Sequence, residues 1–244
     1  MKIIGIIPAR FKSSRLPGKP LADIHGKPMV WHVYHQAIKA KMLDEVYIAT
    51  DDKRIKEVCD DFNMKVLMTS DAHKTGSDRL SECVSKISAD FFVNIQGDEP
   101  MVDPSAIDAV TKAIVSEKDE KIVASGAFAP IDDPSDIIDS NVVKVIISNS
   151  GKALAYSRSP IPYPKDDKAH YYKQLGLYAF KKSGLRVFID NTPASLEKIE
   201  GVELFRLLEN DCHIKMVEVY HKAISVDTSR DLDRVRILME KSNY

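Results

Sequence analysis

Apolar residues run from Ile3 to Ile7, interrupted only by Gly5, and stop at Pro8. Such a run reads as a strand buried on both faces of a parallel sheet. Val30, Val33, Tyr34, Ala37 and Ile38 then recur at the three-and-four spacing of a helix laid on a sheet. The two periods keep alternating. Strands are expected at Glu45–Ala49, Lys65–Met68 and Phe91–Ile95. Helices are expected around Ile55, Val58, Cys59 and Phe62, then Leu80, Cys83, Val84 and Ile87, with Ser77 or Asp78 as cap. A further helix opens at Pro104 and turns Ile107, Val110 and Ile114 inward. Strands alternating with helices of this length give an α/β fold with a doubly wound, mostly parallel sheet.

From Ile122 the pattern changes. Strand-like runs at Ile122–Phe128, Val142–Ile147, Ala153–Tyr156 and Leu175–Phe180 alternate with turns such as Asn149-Ser150-Gly151. They read as antiparallel strands that extend the sheet or form an arm, roughly over 122–182. Between them Pro160, Pro162 and Pro164 rule out regular structure and suit a binding loop or a subunit contact. A short helix is expected over Ser183–Asp190 and a longer one over Pro193–Glu209. The chain ends on a strand, Lys215–Tyr220, and a helix carrying Leu232, Val235, Leu238 and Met239, with Thr228 and Asp231 as its cap. One domain over 1–244 accommodates all of this.

Polar breaks at strand ends carry the candidate chemistry. The first strand opens into a loop holding Arg10, Lys12, Arg15 and Lys19, stiffened by Pro8, Pro17 and Pro20. Cations at the carboxyl end of a parallel strand sit where open α/β sheets bind ligands, and with backbone N–H groups they cradle a polyanion. The break after the fourth strand, Gln96-Gly97-Asp98-Glu99-Pro100, offers carboxylates suited to a divalent cation beside a phosphate, with Gly97 allowing close backbone approach. His73 to Arg79 reads equally as a capped turn or as part of a ligand site. Asp227, at another switch before a helix, reads as a cap residue or as a second carboxylate for the same cation.

Bulk properties narrow the partners. A formal net charge of -1 over 244 residues argues against nucleic-acid and membrane-surface binding, and leaves a small anion for the basic loop. No stretch approaches the roughly 20 apolar residues of a membrane span, and the amino terminus lacks a signal-peptide pattern. Cys59, Cys83 and Cys212 show no paired spacing, so we expect reduced thiols in a cytoplasmic protein. The first strand is followed by no Gly-x-Gly-x-x-Gly, which disfavours a dinucleotide-binding oxidoreductase.

Four segments together resemble one family: Pro8-Ala9-Arg10, Ser14-Arg15-Leu16-Pro17-Gly18-Lys19-Pro20-Leu21, Asn94-Ile95-Gln96-Gly97-Asp98-Glu99-Pro100 and Val226-Asp227-Thr228. They are similar to the 3-deoxy-manno-octulosonate (Kdo) cytidylyltransferases, of the nucleotide-diphospho-sugar transferase fold, over Ile4 to Arg236. The resemblance implies CTP as co-substrate, Mg²⁺, a sugar acid, a homodimer and a place in lipopolysaccharide synthesis. It implies Arg10, Arg15 and Lys19 on the triphosphate beside Pro8 and Ala9. It implies His73, Gly76, Ser77, Arg79 and Gln96 around the cytidine, Asp98 and Asp227 on the metal, and Lys19, Asp98 and Asp227 as the catalytic group. CMP-sialate synthetases share the cationic loop but not the Gln-Gly-Asp-Glu-Pro run. A silent nucleotide-binding module would not need both carboxylates.

The sugar side departs from the family's pattern. Its members usually carry His-Leu-Gly-Ile-Tyr, Glu-Gln-Leu-Arg and Gly-Thr-Gly-Val-Asp. This chain has Gln174-Leu175-Gly176-Leu177-Tyr178, Glu203-Leu204-Phe205-Arg206 and Ala223-Ile224-Ser225-Val226-Asp227. With Arg158 for the sugar carboxylate, the resemblance implies Gln174, Tyr178, Glu203, Arg206 and Ser225 as sugar contacts. The three departures point to a sugar altered at its far end, 8-amino-3,8-dideoxy-manno-octulosonate (Kdo8N), with Kdo as the other choice.

Overall fold

The structure, a computed structural model, describes residues 1–244 apart from 13–14, 74, 166–168, 221–223 and 242–244. Ser14 and Ala223 of the motifs above therefore lie outside the described residues. Two compact units divide the chain, Met1–Asp108 with His221–Tyr244, and Ala109–Tyr220.

The first unit begins with β1 (Ile3–Ala9), whose Ile4, Ile6 and Ile7 have no solvent exposure. A small hairpin, β2 (Asp23–Ile24) and β3 (Lys27–Pro28), leads into α1 (Met29–Ala37). The chain continues through β4 (Glu45–Thr50), α2 (Lys53–Asp61), β5 (Val66–Met68), α3 (Gly76–Lys86), β6 (Phe91–Asn94) and α4 (Pro104–Val115). Parallel pairing gives the order β6-β1-β4-β5, with Ile6 opposite both Asn94 and Tyr47. β1 is thus flanked on both sides, which is what its unbroken apolar run requires. Cys59 and Cys83 are buried free thiols on the inward faces of α2 and α3, and burial pushes both up to about 12.

The second unit comprises β7 (Ile122–Pro130), α5 (Pro134–Ile138), β8 (Lys144–Ile147), β9 (Ala153–Ser157), β10 (Tyr172–Lys181), α6 (Lys182–Asp190), α7 (Ser195–Glu200), α8 (Phe205–Leu208) and β11 (His213–Glu218). β7 is buried along nearly its whole length because it pairs on both edges, antiparallel with β10 and parallel with β11. β10 also pairs β8, and β8 pairs β9, both antiparallel. The strand expected at Lys215–Tyr220 is present as β11, parallel to β7. One expectation changes here. The long helix expected over Pro193–Glu209 is two short ones, because Gly201 ends α7 in the left-handed region at φ 62°.

The last helix, α9 (Ser229–Lys241), belongs to the first unit. Its Leu232, Val235 and Met239 pack with Val226 on Ile24 and Met29, a buried cluster that includes both the β2–β3 hairpin and the start of α1. Burying side chains of this size contributes on the order of 1.5–3 kcal/mol each. That packing sets where Asp227 stands.

Candidate active site

The basic loop after β1 is held by its own backbone. Gly18 N–H donates to Phe11 O at 3.0 Å and Lys19 N–H to Leu16 O at 3.1 Å, and the chain then turns into a short 3₁₀ segment, Lys19–Leu21. Gly18 sits at φ 69°, and a Cβ there would lie 3.1 Å from the Phe11 ring. On Phe11 rests the Arg54 guanidinium, 3.3 Å from the ring centroid, itself fixed by Asp52, which also caps α2.

Asp98 enters from β6. Gly97, expected to admit a ligand's close approach, instead admits Pro8: a Cβ would lie 2.5 Å from Pro8 O. Its glycine is required by contact inside the protein, and that contact sets Asp98 beside the end of β1. Asp227 arrives differently from expectation. Residues 224–227 form no strand, and a single backbone bond, Val226 N–H to Asp98 O at 2.9 Å, aligns the two carboxylates. Asp231 Oδ2 then accepts from Asp227 N–H at 3.2 Å, Thr228 N–H at 2.8 Å and Thr228 Oγ1 at 2.8 Å. Burial raises the Asp231 pKa, but these donors outweigh it and leave the net shift downward. The Thr228–Asp231 cap expected from sequence is present, and it fixes the backbone of Asp227 as well.

Between the carboxylates lies Lys19. Its Nζ is 2.7 Å from Asp98 Oδ2 and 3.2 Å from Asp227 Oδ1, and Arg15 adds a contact to Asp227 Oδ1 at 3.0 Å. Two hard oxygen donors converging on one positive charge form a donor set suited to Mg²⁺, which takes one or two carboxylates and completes its shell with water and phosphate. The Lys19 ammonium stands in for that charge. Among the described residues no cluster of three or more His, Cys, Asp or Glu side chains forms a metal cage.

These groups line a cavity of about 850 Å³. Pro8, Ala9, Arg10, Arg15, Lys19, His73, Gly76, Arg79, Gln96, Asp98 and Asp227, all expected from sequence, share its wall with Phe11, Lys12 and Thr75. Five Arg and Lys side chains face two Asp carboxylates there, so the cavity favours an anion. Ser77 is a correction. It is wholly buried in the first turn of α3 and is not part of the wall. The cap of α3 is Thr75, whose Oγ1 accepts from Asp78 N–H at 3.1 Å, in place of Ser77 or Asp78. Arg79 is 3% exposed and committed to Thr69 Oγ1, Ser70 O and Asp51, so it braces the wall more than it reaches outward.

The expected sugar residues of the second unit are mostly engaged in its own structure. Arg158 donates through Nε to Glu200 O at 2.6 Å and through Nη1 to Ser140 O at 2.7 Å. Arg206 is 1% exposed, its guanidinium paired with Glu197 at 2.7 and 2.5 Å and stacked on Phe188, so its role is to hold α7 and α8 together; the sugar contact expected of it is corrected on that ground. Gln174 donates to the Tyr178 hydroxyl, and the buried Gln174 Oε1 has no hydrogen-bond partner among the described residues. Both lie where β10 bulges: four steps of β10 from Gln174 to Tyr178 match two of β7, from Phe128 to Gly126. Bulges of this kind re-aim side chains. Glu203 is half-buried, and Ser225, in the first unit, is exposed two residues before Asp227.

The cytidylyltransferase family profile matches residues 4–224. The chain is 43% identical over 248 residues to the 3-deoxy-manno-octulosonate cytidylyltransferase of Geobacter sulfurreducens, covering 96% of this chain and 98% of that protein. The chain belongs to this cytidylyltransferase family. The Escherichia coli protein of the same name is 38% identical over 239 residues, covering 98% and 96%. Among solved structures, a CMP:2-keto-3-deoxy-manno-octonic acid synthetase complexed with CTP superposes at a TM-score of 0.94, with 37% identity over 99% of this cytidylyltransferase chain and 100% of that one. An inositol-1-phosphate CTP transferase from T. maritima, at TM-score 0.69 and 15% identity, shares the fold.

Proposed function

We propose that the protein activates a 3-deoxy-octulosonic acid with CTP, forming the CMP-sugar and pyrophosphate for lipopolysaccharide synthesis, as a cytoplasmic homodimer. The observation that carries this reading is the meeting of Asp98, Asp227 and Lys19 at the foot of the basic loop. The anomeric hydroxyl oxygen bonds to the α-phosphorus of CTP. The bond from that phosphorus to the bridging oxygen breaks, pyrophosphate leaves with the electron pair, and the hydroxyl proton is lost to solvent. Arg10, Arg15 and Lys19 meet the charge that builds on the phosphoryl oxygens, the electrostatic term that dominates such transfers. A divalent cation held by Asp98 and Asp227 would supply Lewis-acid neutralisation of the triphosphate. Lys19 exchanges its carboxylate partners for phosphate oxygens when nucleotide arrives, so its positive charge is retained in the cavity throughout.

For the sugar, Kdo8N is the substrate we assign. Supporting this is the Gln174 carbonyl oxygen, a buried acceptor that would take a hydrogen bond from an ammonium group. A neutral Gln where the family carries His also removes a group that repels an ammonium when protonated, and Glu203 attracts one. Steady-state assays of the purified protein with CTP and each sugar decide between them. A kcat/KM for Kdo8N at least tenfold above that for Kdo is expected, and equal or greater values with Kdo would remove the assignment.

A further inference from the structure

Three segments carry charged groups of the cavity, and one apolar cluster underlies all three. Leu16 comes from the basic loop, Met101 from the turn that follows Asp98, and Val226 immediately precedes Asp227. They pack with Ile24 and Met29, and with Leu232, Val235 and Met239 of α9. Apolar burial is non-directional, so it holds these segments together without fixing how far α9 sits along its own axis. Directional bonds do that. The residues leading into α9 are tied to the end of β6 by Val226 N–H, which donates to Asp98 O at 2.9 Å. Further along the helix, Arg236 ties it to the β2–β3 hairpin.

Arg236 bonds the hairpin in both directions. Its Nε and Nη2 donate to Asp23 O at 3.0 and 2.6 Å, while its own carbonyl oxygen accepts from His25 Nε2 at 2.8 Å. His25 and Gly26 form the two-residue connection between β2 and β3, at φ 49° and 80°. Such tight hairpins use two central residues of positive φ, and Asn, Asp or Gly ordinarily stands first. His25 instead carries its Cβ into the left-handed region. A residue in a sparsely populated conformation persists where its surroundings over-determine it, and the bond from His25 to α9 does so here. The hairpin also begins close behind Lys19, and the turn between them is closed by Leu21 N–H to Gly18 O at 2.8 Å and Ala22 N–H to Lys19 O at 3.0 Å. A braced path therefore runs from Lys19 through the hairpin to α9 and back to Asp227.

We infer that Arg236 is a positioning residue for the nucleotidyl transfer: by gripping the hairpin it sets α9 so that Asp227 stays beside Lys19 and Asp98. The guanidinium itself is remote from the cavity wall, so it acts through the backbone it holds. Hydrogen bonds from a charged donor are stronger than neutral ones, and two of them converge on one carbonyl. This inference rests on the reading above of Asp227 as a carboxylate for the divalent cation.

The test compares wild type with Arg236→Ala, Arg236→Lys and Asp233→Ala. Asp233 is the control: it is exposed and pairs with Arg236 Nη1 at 2.9 Å on the same helix, outside the grip on the hairpin. Amide hydrogen exchange at Val226 reads the placement of the segment directly, and steady-state kinetics with CTP and the sugar acid read its consequence. In Arg236→Ala, Val226 exchange is expected to quicken about tenfold, the worth of a charge-assisted hydrogen bond. Both kcat/KM for CTP and the affinity for Mg²⁺, read as the concentration giving half-maximal rate, are expected to fall by a similar factor. Arg236→Lys, with its charge and a single donor group, is expected to recover part of each loss, and Asp233→Ala to match wild type. A merely structural role would lower Tm and leave the Mg²⁺ requirement where it was. An unchanged Mg²⁺ requirement in Arg236→Ala, unchanged Val226 exchange, or an equal loss in Asp233→Ala would overturn the inference. Absence of CTP turnover in wild type would instead remove the functional reading, while Val226 exchange still reports whether Arg236 places the segment. Should Arg236→Ala not fold, Arg236→Lys decides by the same measurements.

Discussion

At the scale of single residues, the cavity depends on contacts in which a side chain is missing or shared. Gly97 is the clearest case. A methyl group there would stand 2.5 Å from Pro8 O, an approach real Cβ atoms do not make, so Gly97→Ala must push Asp98 away from the end of β1. A displacement of about 1 Å at a reacting centre costs on the order of a hundredfold. We expect kcat/KM for CTP to fall by about that factor while the protein remains folded by circular dichroism; a fall of less than threefold would mean that Asp98 is placed by something else. This residue also shows how much was legible. Its conservatively read purpose, close approach to a ligand, followed from the Gln-Gly-Asp-Glu-Pro run, but the partner was Pro8, which lies far from it in sequence. Ser77 and Arg206 were misplaced for a related reason: a polar residue in a motif carries no mark of burial, and both turned out to be inside.

At the scale of elements, the position of Asp227 is set by the start of α9. Three donors converge on the Asp231 carboxylate, two of them from Thr228 and one from Asp227 itself. Losing an N-cap interaction costs about 0.5–2 kcal/mol. We expect Asp231→Ala to lower unfolding stability in urea by about that amount, and to lower kcat/KM because the Asp227 backbone loses its tether. Lost stability with undiminished activity would separate the cap from the site. The Thr-x-x-Asp spacing made this cap readable in advance, as the three-and-four stripes made α1, α2 and α3 readable. The break between α7 and α8 was not, because a glycine inside an apolar stripe is compatible with a continuing helix until its left-handed φ is seen. The strand β11 was legible but its parallel direction was not, because apolar alternation suits either direction of pairing.

At the scale of the whole molecule, a net charge of -1 leaves the protein without a general attraction for polyanions, while five Arg and Lys side chains gather on the cavity wall. A ligand bound only by the folded state stabilises it by about 2.7 kcal/mol at a hundredfold excess over Kd. For a chain of 244 residues that amounts to a rise in Tm of several degrees, roughly 2–4 °C per kcal/mol. CTP with Mg²⁺ is expected to produce it in a thermal-shift assay, and an equal rise with ATP would show that the cavity grips the triphosphate without reading the base.

The account stands most directly on pyrophosphate release. Purified protein given CTP, Mg²⁺ and a 3-deoxy-octulosonic acid is expected to release one pyrophosphate per CMP-sugar formed, and Asp98→Asn with Asp227→Asn is expected to reduce the rate at least a thousandfold, on the order of 4 kcal/mol of transition-state stabilisation. Full turnover by the doubly substituted protein, or no consumption of CTP with either Kdo or its 8-amino analogue, would contradict it.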